Sequence, residues 1–193
     1  SVLLDDYQIQ AELTATPRVA FQRFTFPKGT DNHILFNIGN RQGESGAVKD
    51  AYVTYTADGH IEGWVITMPE YVKKYQPGAT VPLYFSAVLD RKPESYGSFH
   101  GNTQLADAKE SKGTGAGMYF TFSNEQQEAV TAKIGLSYTS VENARINLQA
   151  EAEGKTFEDA KEQAHQIWQE YLGRIEVETS KKEDKVKFYT GLY

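Results

Sequence analysis

From Val2 to Tyr138 the chain alternates short β-prone runs with turn signals, and this rhythm specifies antiparallel strands more strongly than any other feature. The run 2–4 precedes an Asp5-Asp6 turn. Over 8–14, Ile9, Ala11 and Leu13 alternate with Gln8, Gln10 and Glu12, so one face should be buried and the other wet. Val19, Phe21, Phe24 and Phe26 mark the next strand, stopped by Pro27-Lys28-Gly29, and 33–38 forms another before the loop 39–46. The runs 51–56 and 61–66 flank Asp58-Gly59, the strongest hairpin signal in the sequence. The runs 81–89, 118–122 and 130–138 complete the set. Twelve Tyr and ten Phe against two Met suit half-buried pleated surfaces. Between Leu89 and Met118 a polar stretch rich in Gly, Ser, Lys and Asp reads as a long mobile loop, with 106–117 of low complexity.

The last third changes period. Thr139 to Glu142 reads as a capping box opening a helix that runs to about Ala152 and ends at Gly154. Thr156 begins a second helix of about four turns, in which Phe157, Ala160, Ala164, Ile167, Trp168, Tyr171 and Leu172 form an apolar stripe ending at Gly173. A short strand is expected over 174–177. Ser180 to Glu183 then reads as a further capping box, before a helix whose apolar residues Val186, Phe188, Tyr189, Leu192 and Tyr193 are reached as the sequence stops. The expected organisation is therefore an antiparallel β-sandwich over 1–138, linker helices with a short strand over 139–180, and the start of another helical unit over 181–193. Both ends are expected to be cuts in a longer chain, because Ser1 leads straight into a strand-like run without an initiator Met or signal peptide, and the last helix stops at its aromatic face.

Charge and composition exclude several classes of partner. A net charge of −6 without a dense Lys/Arg run leaves no electrostatic footprint for nucleic acid or an anionic membrane. With no cysteine there is no disulfide framework, thiol nucleophile or thiolate metal site. No apolar stretch approaches the ~20 residues of a membrane helix.

His33, His60, His100 and His165 lack the short spacing of a zinc pair, so no metal site is expected from them. Only His100, beside Tyr96, Phe99 and Gly101, looks placed for a ligand. Glycosidases need two carboxylates flanking the scissile bond. Asp5, Asp6, Glu12, Asp58, Asp90 and Glu94 are available in the β-rich part, but they sit in turns or on solvent faces. Glu142, Glu151, Glu153, Glu158, Asp159 and Glu183 cluster near helix ends, where they cap N–H groups or favour the dipole. No catalytic residue is assigned. No G-x-S-x-G elbow or phosphate-binding glycine loop occurs. Trp64, Tyr71, Tyr75, Tyr96 and Phe99 could stack on sugar rings, although burial in the core explains each more simply. Trp64, Tyr96 and His100 are kept as candidate carbohydrate contacts.

The segment ELTATPRVAFQRFTFP at 12–27 resembles a signature block of the N-terminal domain of glycoside hydrolase family 92, the exo-acting α-mannosidases. GAGMYFTFS at 115–123, KIGLSYTSVENARINLQAE at 133–151, a helix carrying Trp168, and FYTGLY at 188–193 follow in the family's order. The resemblance covers nearly the whole chain. It departs at Ala20-Phe21-Gln22-Arg23-Phe24, where the family more often has Gly-Phe-His-Arg-Tyr, and at Gly191, where Ala is common.

The resemblance implies a supersandwich of the galactose-mutarotase type joined by linker helices to an (α/α)6 catalytic barrel, with an active site between the two. It implies a calcium-dependent inverting mechanism whose Glu acid, Asp base and calcium ligands belong to the barrel, outside this sequence, with no metal held by 1–193 itself. The expected function is a non-catalytic domain, inactive alone, that buttresses the barrel and contributes to the pocket rim of an enzyme acting on mannose-containing glycans. Trp168, Phe188, Tyr189 and Tyr193 are the expected domain interface with the same polypeptide's barrel. Export to the periplasm or cell surface follows from family habit. An autonomous carbohydrate-binding module and a structural interaction domain are the alternatives.

Overall fold

The protein is described from a computed structural model covering residues 1–28, 32–43, 46–123 and 125–193. In chain order the elements are β1 (Val2–Leu4), β2 (Ile9–Ala15), β3 (Val19–Phe26), β4 (Asn32–Asn37), β5 (Ala47–Tyr55), β6 (Ile61–Met68), α1 (Glu70–Tyr75), β7 (Val81–Leu89), β8 (Ser95–His100), β9 (Thr103–Ala106), β10 (Glu110–Lys112), β11 (Ala116–Phe122), β12 (Glu128–Ser137), α2 (Val141–Ala152), α3 (Phe157–Leu172) and α4 (Lys182–Leu192). Gly29, expected to help stop β3, and residues 44–45 of the loop before β5 lie outside the described residues.

All strand pairings are antiparallel and make two sheets, an eight-stranded one ordered β1-β2-β3-β12-β7-β6-β5-β10 and a four-stranded one ordered β4-β11-β8-β9. Strand alternation sends successive side chains to opposite faces, so the large sheet is buried twice over. One face carries Phe26, Val53, Ile61, Phe85, Ala87 and Val130 against Ile34, Phe36, Met118, Phe120 and Phe122 of the small sheet. The other carries Val19 and Phe21 against Leu148 and Ala152 of α2 and Phe157 and Ala160 of α3. The result is three layers, small sheet, large sheet and helices. Each fully buried Phe of the first interface contributes about 1.5–3 kcal/mol by leaving water.

The polar stretch expected to be a mobile loop is instead β8, β9 and β10. Its small residues make a sheet because aromatic rings cover them: in the β8–β11 ladder Phe99 lies opposite Gly117 and Tyr119 opposite Gly97. A Cβ on Gly117 would fall 2.0 Å from the Phe99 ring, and one on Gly97 would fall 2.4 Å from the Tyr119 hydroxyl. Each glycine therefore makes room for the ring across from it.

Three local expectations are corrected. The cap of α2 is Ser140, whose hydroxyl accepts from the Asn143 N–H, while Thr139 accepts from the Asn143 side chain at 2.7 Å. The reciprocal capping box belongs to α3, between Thr156 and Asp159. Helix α4 begins after Lys181 with no side-chain cap, so Ser180 does not act as one. Among the described residues, 174–177 join no sheet; they connect α3 to α4, and the Ile175 carbonyl accepts from the Tyr189 hydroxyl of α4 instead of a strand.

Three arginines tether the helices to the large sheet. Arg145 of α2 donates Nε to Glu62 of β6 at 2.8 Å and Nη1 to Asp58 in the β5–β6 turn at 2.7 Å. Arg18 meets Glu151 of α2 at 2.5 Å, and the same carboxylate accepts from the Thr16 hydroxyl. Arg23 of β3 pairs with Glu12 at 2.7 Å and with Glu158 of α3, its guanidinium 4.2 Å above the Phe157 ring.

Candidate functional site

Seven of the twelve carboxylates weighed for glycosidic chemistry, Glu12, Asp58, Asp90, Glu94, Glu151, Glu158 and Asp159, are spent on structure, as is Glu62. The Thr56 hydroxyl, followed by Arg145, pulls the Asp58 carboxyl down to about 2. Burial works to raise Glu62, but Arg145 and the Ser86 hydroxyl outweigh it and leave it lowered. Burial likewise opposes, and Thr16 and Arg18 overcome, the shift at Glu151. Arg23 lowers both Glu12 and Glu158, and the backbone and hydroxyl of Thr156 lower Asp159. Asp90 accepts from the Thr131 N–H at 2.8 Å, and Glu94 accepts from the Ser123 N–H and hydroxyl. A general acid needs a raised pKa, and every resolved carboxylate shift runs the other way. Calcium would require six to eight converging oxygens. Among the described residues no group of three or more His, Asp or Glu side chains converges.

The three candidate sugar contacts are not brought together. Trp64 of β6 packs beside Tyr52, ring centroids 6.4 Å apart. Tyr96 of β8 packs edge-on against Tyr55 at 5.0 Å and joins the inter-sheet core. Ile61 points into that same core, so alternation along β6 sends Trp64 to the opposite face of the large sheet. His100 ends β8, exposed, before the Gly101 turn. Tyr71 and Tyr75 are exposed on α1, a short helix with no sequence expectation, and Phe99 covers Gly117.

The larger feature lies on the helices. The apolar stripe of α3 is buried only in its first turn, at Phe157 and Ala160. Farther along, Ile167, Trp168 and Tyr171 stay exposed, Trp168 at 44%. Helix α4 returns beside this end: the Trp168 and Tyr193 rings lie 4.5 Å apart, Phe188 meets Tyr189 at 5.3 Å, and the Tyr189 hydroxyl donates to the Ile175 carbonyl at 3.0 Å. Between the helices Ile167, Trp168, Tyr171, Leu172, Ile175 and Leu192 line an open apolar cleft of about 510 Å³. Val186, Phe188 and Leu192 are also exposed, and no residue of α4 is buried. The result is an exposed apolar face with aromatic side chains on helices that the sandwich does not cover.

The fold is a three-layered β domain that pairs Glu12, Asp58, Glu62, Glu151 and Glu158 internally and leaves an aromatic helical face open. Residues 1–137 match the glycosyl hydrolase family 92 N-terminal domain, ending where β12 ends, and residues 143–193 match the family's catalytic domain. The chain belongs to glycosyl hydrolase family 92. Over its whole length it superposes on the GH92 alpha-mannosidase BT3965 from Bacteroides thetaiotaomicron, with a TM-score of 0.86 and 24% identity, covering 26% of that chain. It also resembles the gh92 family glycosyl hydrolase ccman5, with a TM-score of 0.81 and 26% identity over 96% of this chain and 24% of that one. The inverting mannosidase BT2199 from Bacteroides thetaiotaomicron gives 0.79 and 23%, covering 96% of this chain and 24% of that one. The chain thus spans about a quarter of the length of these structures. No curated protein matches it.

Proposed function

We propose that this chain is the non-catalytic N-terminal part of an exo-α-mannosidase and that the α3–α4 face buttresses the catalytic domain. The observation that carries this reading is the placement of Trp168 and Tyr193. They form an exposed aromatic pair inside the segment that matches the family's catalytic domain. The related structures described as mannosidases supply the substrate class, an α-mannoside in a mannose-containing glycan, and one of them is described as inverting. In this reading the acid, the base and a calcium ion belong to polypeptide outside residues 1–193, and the parent enzyme is exported to the periplasm or cell surface. Trp64, Tyr96 and His100 would act singly, His100 being the exposed one at a strand end suited to the pocket rim.

The test compares residues 1–193 with the full-length polypeptide on α-linked mannobiose, with calcium and with a chelator. Hydrolysis by the full-length protein only, abolished by chelation, is expected. Turnover by residues 1–193 alone would overturn the assignment, as would a full-length protein without α-mannosidase activity. Saturable binding of mannose by residues 1–193 would replace it with an autonomous binding module.

A further inference from the structure

Trp64 stands apart from Tyr96 and His100, but it has aromatic company on its own face. In the large sheet Tyr52 of β5 lies opposite Trp64 of β6, and Trp64 lies opposite Tyr84 of β7. Residues directly opposite in an antiparallel ladder share a face, so the three rings form one row across three strands. The row continues to Lys112 of β10 at one end and to Ser137 of β12 at the other. The Tyr52 and Trp64 ring centroids lie 6.4 Å apart with their planes 33° from parallel, so neither ring turns its edge onto the face of the other. Helix α2 covers the next row along, where Glu62 holds Arg145 and Gly135 sits against Ala144 and Leu148. It leaves Tyr52, Trp64 and Tyr84 half-buried.

The shape of the row limits what can lie on it. Neighbouring strands are about 4.8 Å apart, so the row from Tyr52 to Tyr84 is about 10 Å long and one residue wide. A folded partner would need about 800 Å² of surface, and this row is bounded by exposed Glu110 and Lys112 at one end and by the start of α2 at the other. An extended peptide gains affinity by pairing its main chain with an open strand edge, whereas β5, β6 and β7 are each paired on both sides. A short run of linked pyranose rings fits instead. The C–H face of such a ring meets the negative face of an aromatic ring, and its hydroxyls reach donors and acceptors at the rim. Lys112, Glu110 and Ser137 supply both kinds of group, and the Tyr52 hydroxyl, which donates to Glu110 at 2.7 Å, can accept from a sugar hydroxyl in turn. The mixed signs of Lys112 and Glu110 suit an uncharged glycan.

We propose that Tyr52, Trp64 and Tyr84 form a carbohydrate-binding row for an uncharged oligosaccharide of linked pyranose rings, with Trp64 as its central ring. A free monosaccharide covers one ring only, so the row selects linked sugars over mannose itself. The choice of an α-mannan as the glycan rests on the proposed function, while the row and its geometry do not.

The experiment measures how strongly gels containing α-mannan retard the full-length polypeptide, which yields an apparent Kd without turnover. Trp64→Ala should weaken retention by about fivefold or more, as truncation of an aromatic anchor does. Trp64→Phe, which keeps a ring, should weaken it less, and Tyr75→Ala, exposed on α1 away from the row, should leave it unchanged. Thermal unfolding checks that each variant is folded, and Tyr52→Ala, at the β10 end of the row, gives the same reading if Trp64→Ala does not fold. Retention equal to wild type in the folded Trp64→Ala or Tyr52→Ala protein would overturn the proposal and assign the row to packing, as would a wild-type polypeptide that the mannan does not retard. A polypeptide that is retained through Trp64 but does not hydrolyse α-linked mannobiose would defeat the mannosidase reading and leave the row standing. An active polypeptide whose retention ignores Trp64 and Tyr52 would do the reverse.

Discussion

Arg145 of α2 reaches across to Glu62 of β6, Nε to carboxylate at 2.8 Å, and the same carboxylate accepts from the fully buried Ser86 hydroxyl. Glu62 is the better shielded partner, its side chain only 12% exposed against 39% for Arg145. Removing the arginine would leave a carboxylate in a place that water reaches poorly. Arg145→Ala should therefore destabilise the domain by about 1–2 kcal/mol, after discounting for the arginine's exposure. Asp58→Asn, at the more exposed end, should cost clearly less than Arg145→Ala. Urea midpoints of the two variants test the ranking.

The carboxylate shifts set the acid limb of the stability curve. Glu12, Glu62, Glu151 and Glu158 are held below their ordinary value of 4.5, and Asp58 lies at about 2 against 3.8. Groups with lowered folded pKa values contribute stability that is fully present above the unfolded value and is lost as pH falls through the folded one. Stability should be flat from neutral pH to about 5 and fall toward about 2. Replacing each Arg with Gln in turn should shallow that limb. An acid limb unchanged in Arg23→Gln, Arg18→Gln and Arg145→Gln would count against the tethers as its cause.

Most of the sandwich was legible because its strands alternate: Ile9, Ala11 and Leu13, or Ile34 and Phe36, announce both strand and face. The three strands between Leu89 and Met118 were not, because their order depends on partners distant in sequence. Gly117 and Gly97 read as breakers until Phe99 and Tyr119 are placed over them. Helix α1 escaped notice because six residues after Pro69 give too short a period. The stripe of α3 was legible, but not that only its first turn is covered, since which face a sheet covers is a tertiary property. Glu62, a deeply set partner of the tethers, carries no motif. Its only signal was its place between Ile61 and Gly63, facing the helical layer.

Gly135 marks where α2 rests on β12. A Cβ there would lie 2.4 Å from the Ala144 carbonyl and 2.8 Å from the Leu148 side chain, and backbone cannot yield as a side-chain tip can. Gly135→Ala should push α2 off the sheet and cost about 1–3 kcal/mol. Gly59→Asn, in an open turn at positive φ, should cost well under about 1 kcal/mol because Asn tolerates that conformation. Thermal unfolding of both variants checks the contrast.

Trp168 separates a docking face from an ordinary exposed stripe. In residues 1–193 its ring keeps 44% exposure and lies 4.5 Å from that of Tyr193, itself 78% exposed. Truncation to Ala should therefore cost the isolated domain under about 1 kcal/mol, as expected where little area leaves water. If the catalytic domain covers the cleft between α3 and α4, the same ring becomes a buried aromatic anchor of an interdomain contact, where truncation costs about 2 kcal/mol or more. Trp168→Ala should thus lower the unfolding temperature of the full-length protein far more than that of residues 1–193. Tyr75→Ala, exposed on α1, should affect neither. Equal small losses in both lengths would mean that the face stays open in the whole protein, and the buttressing role would then have to move to another surface of the sandwich.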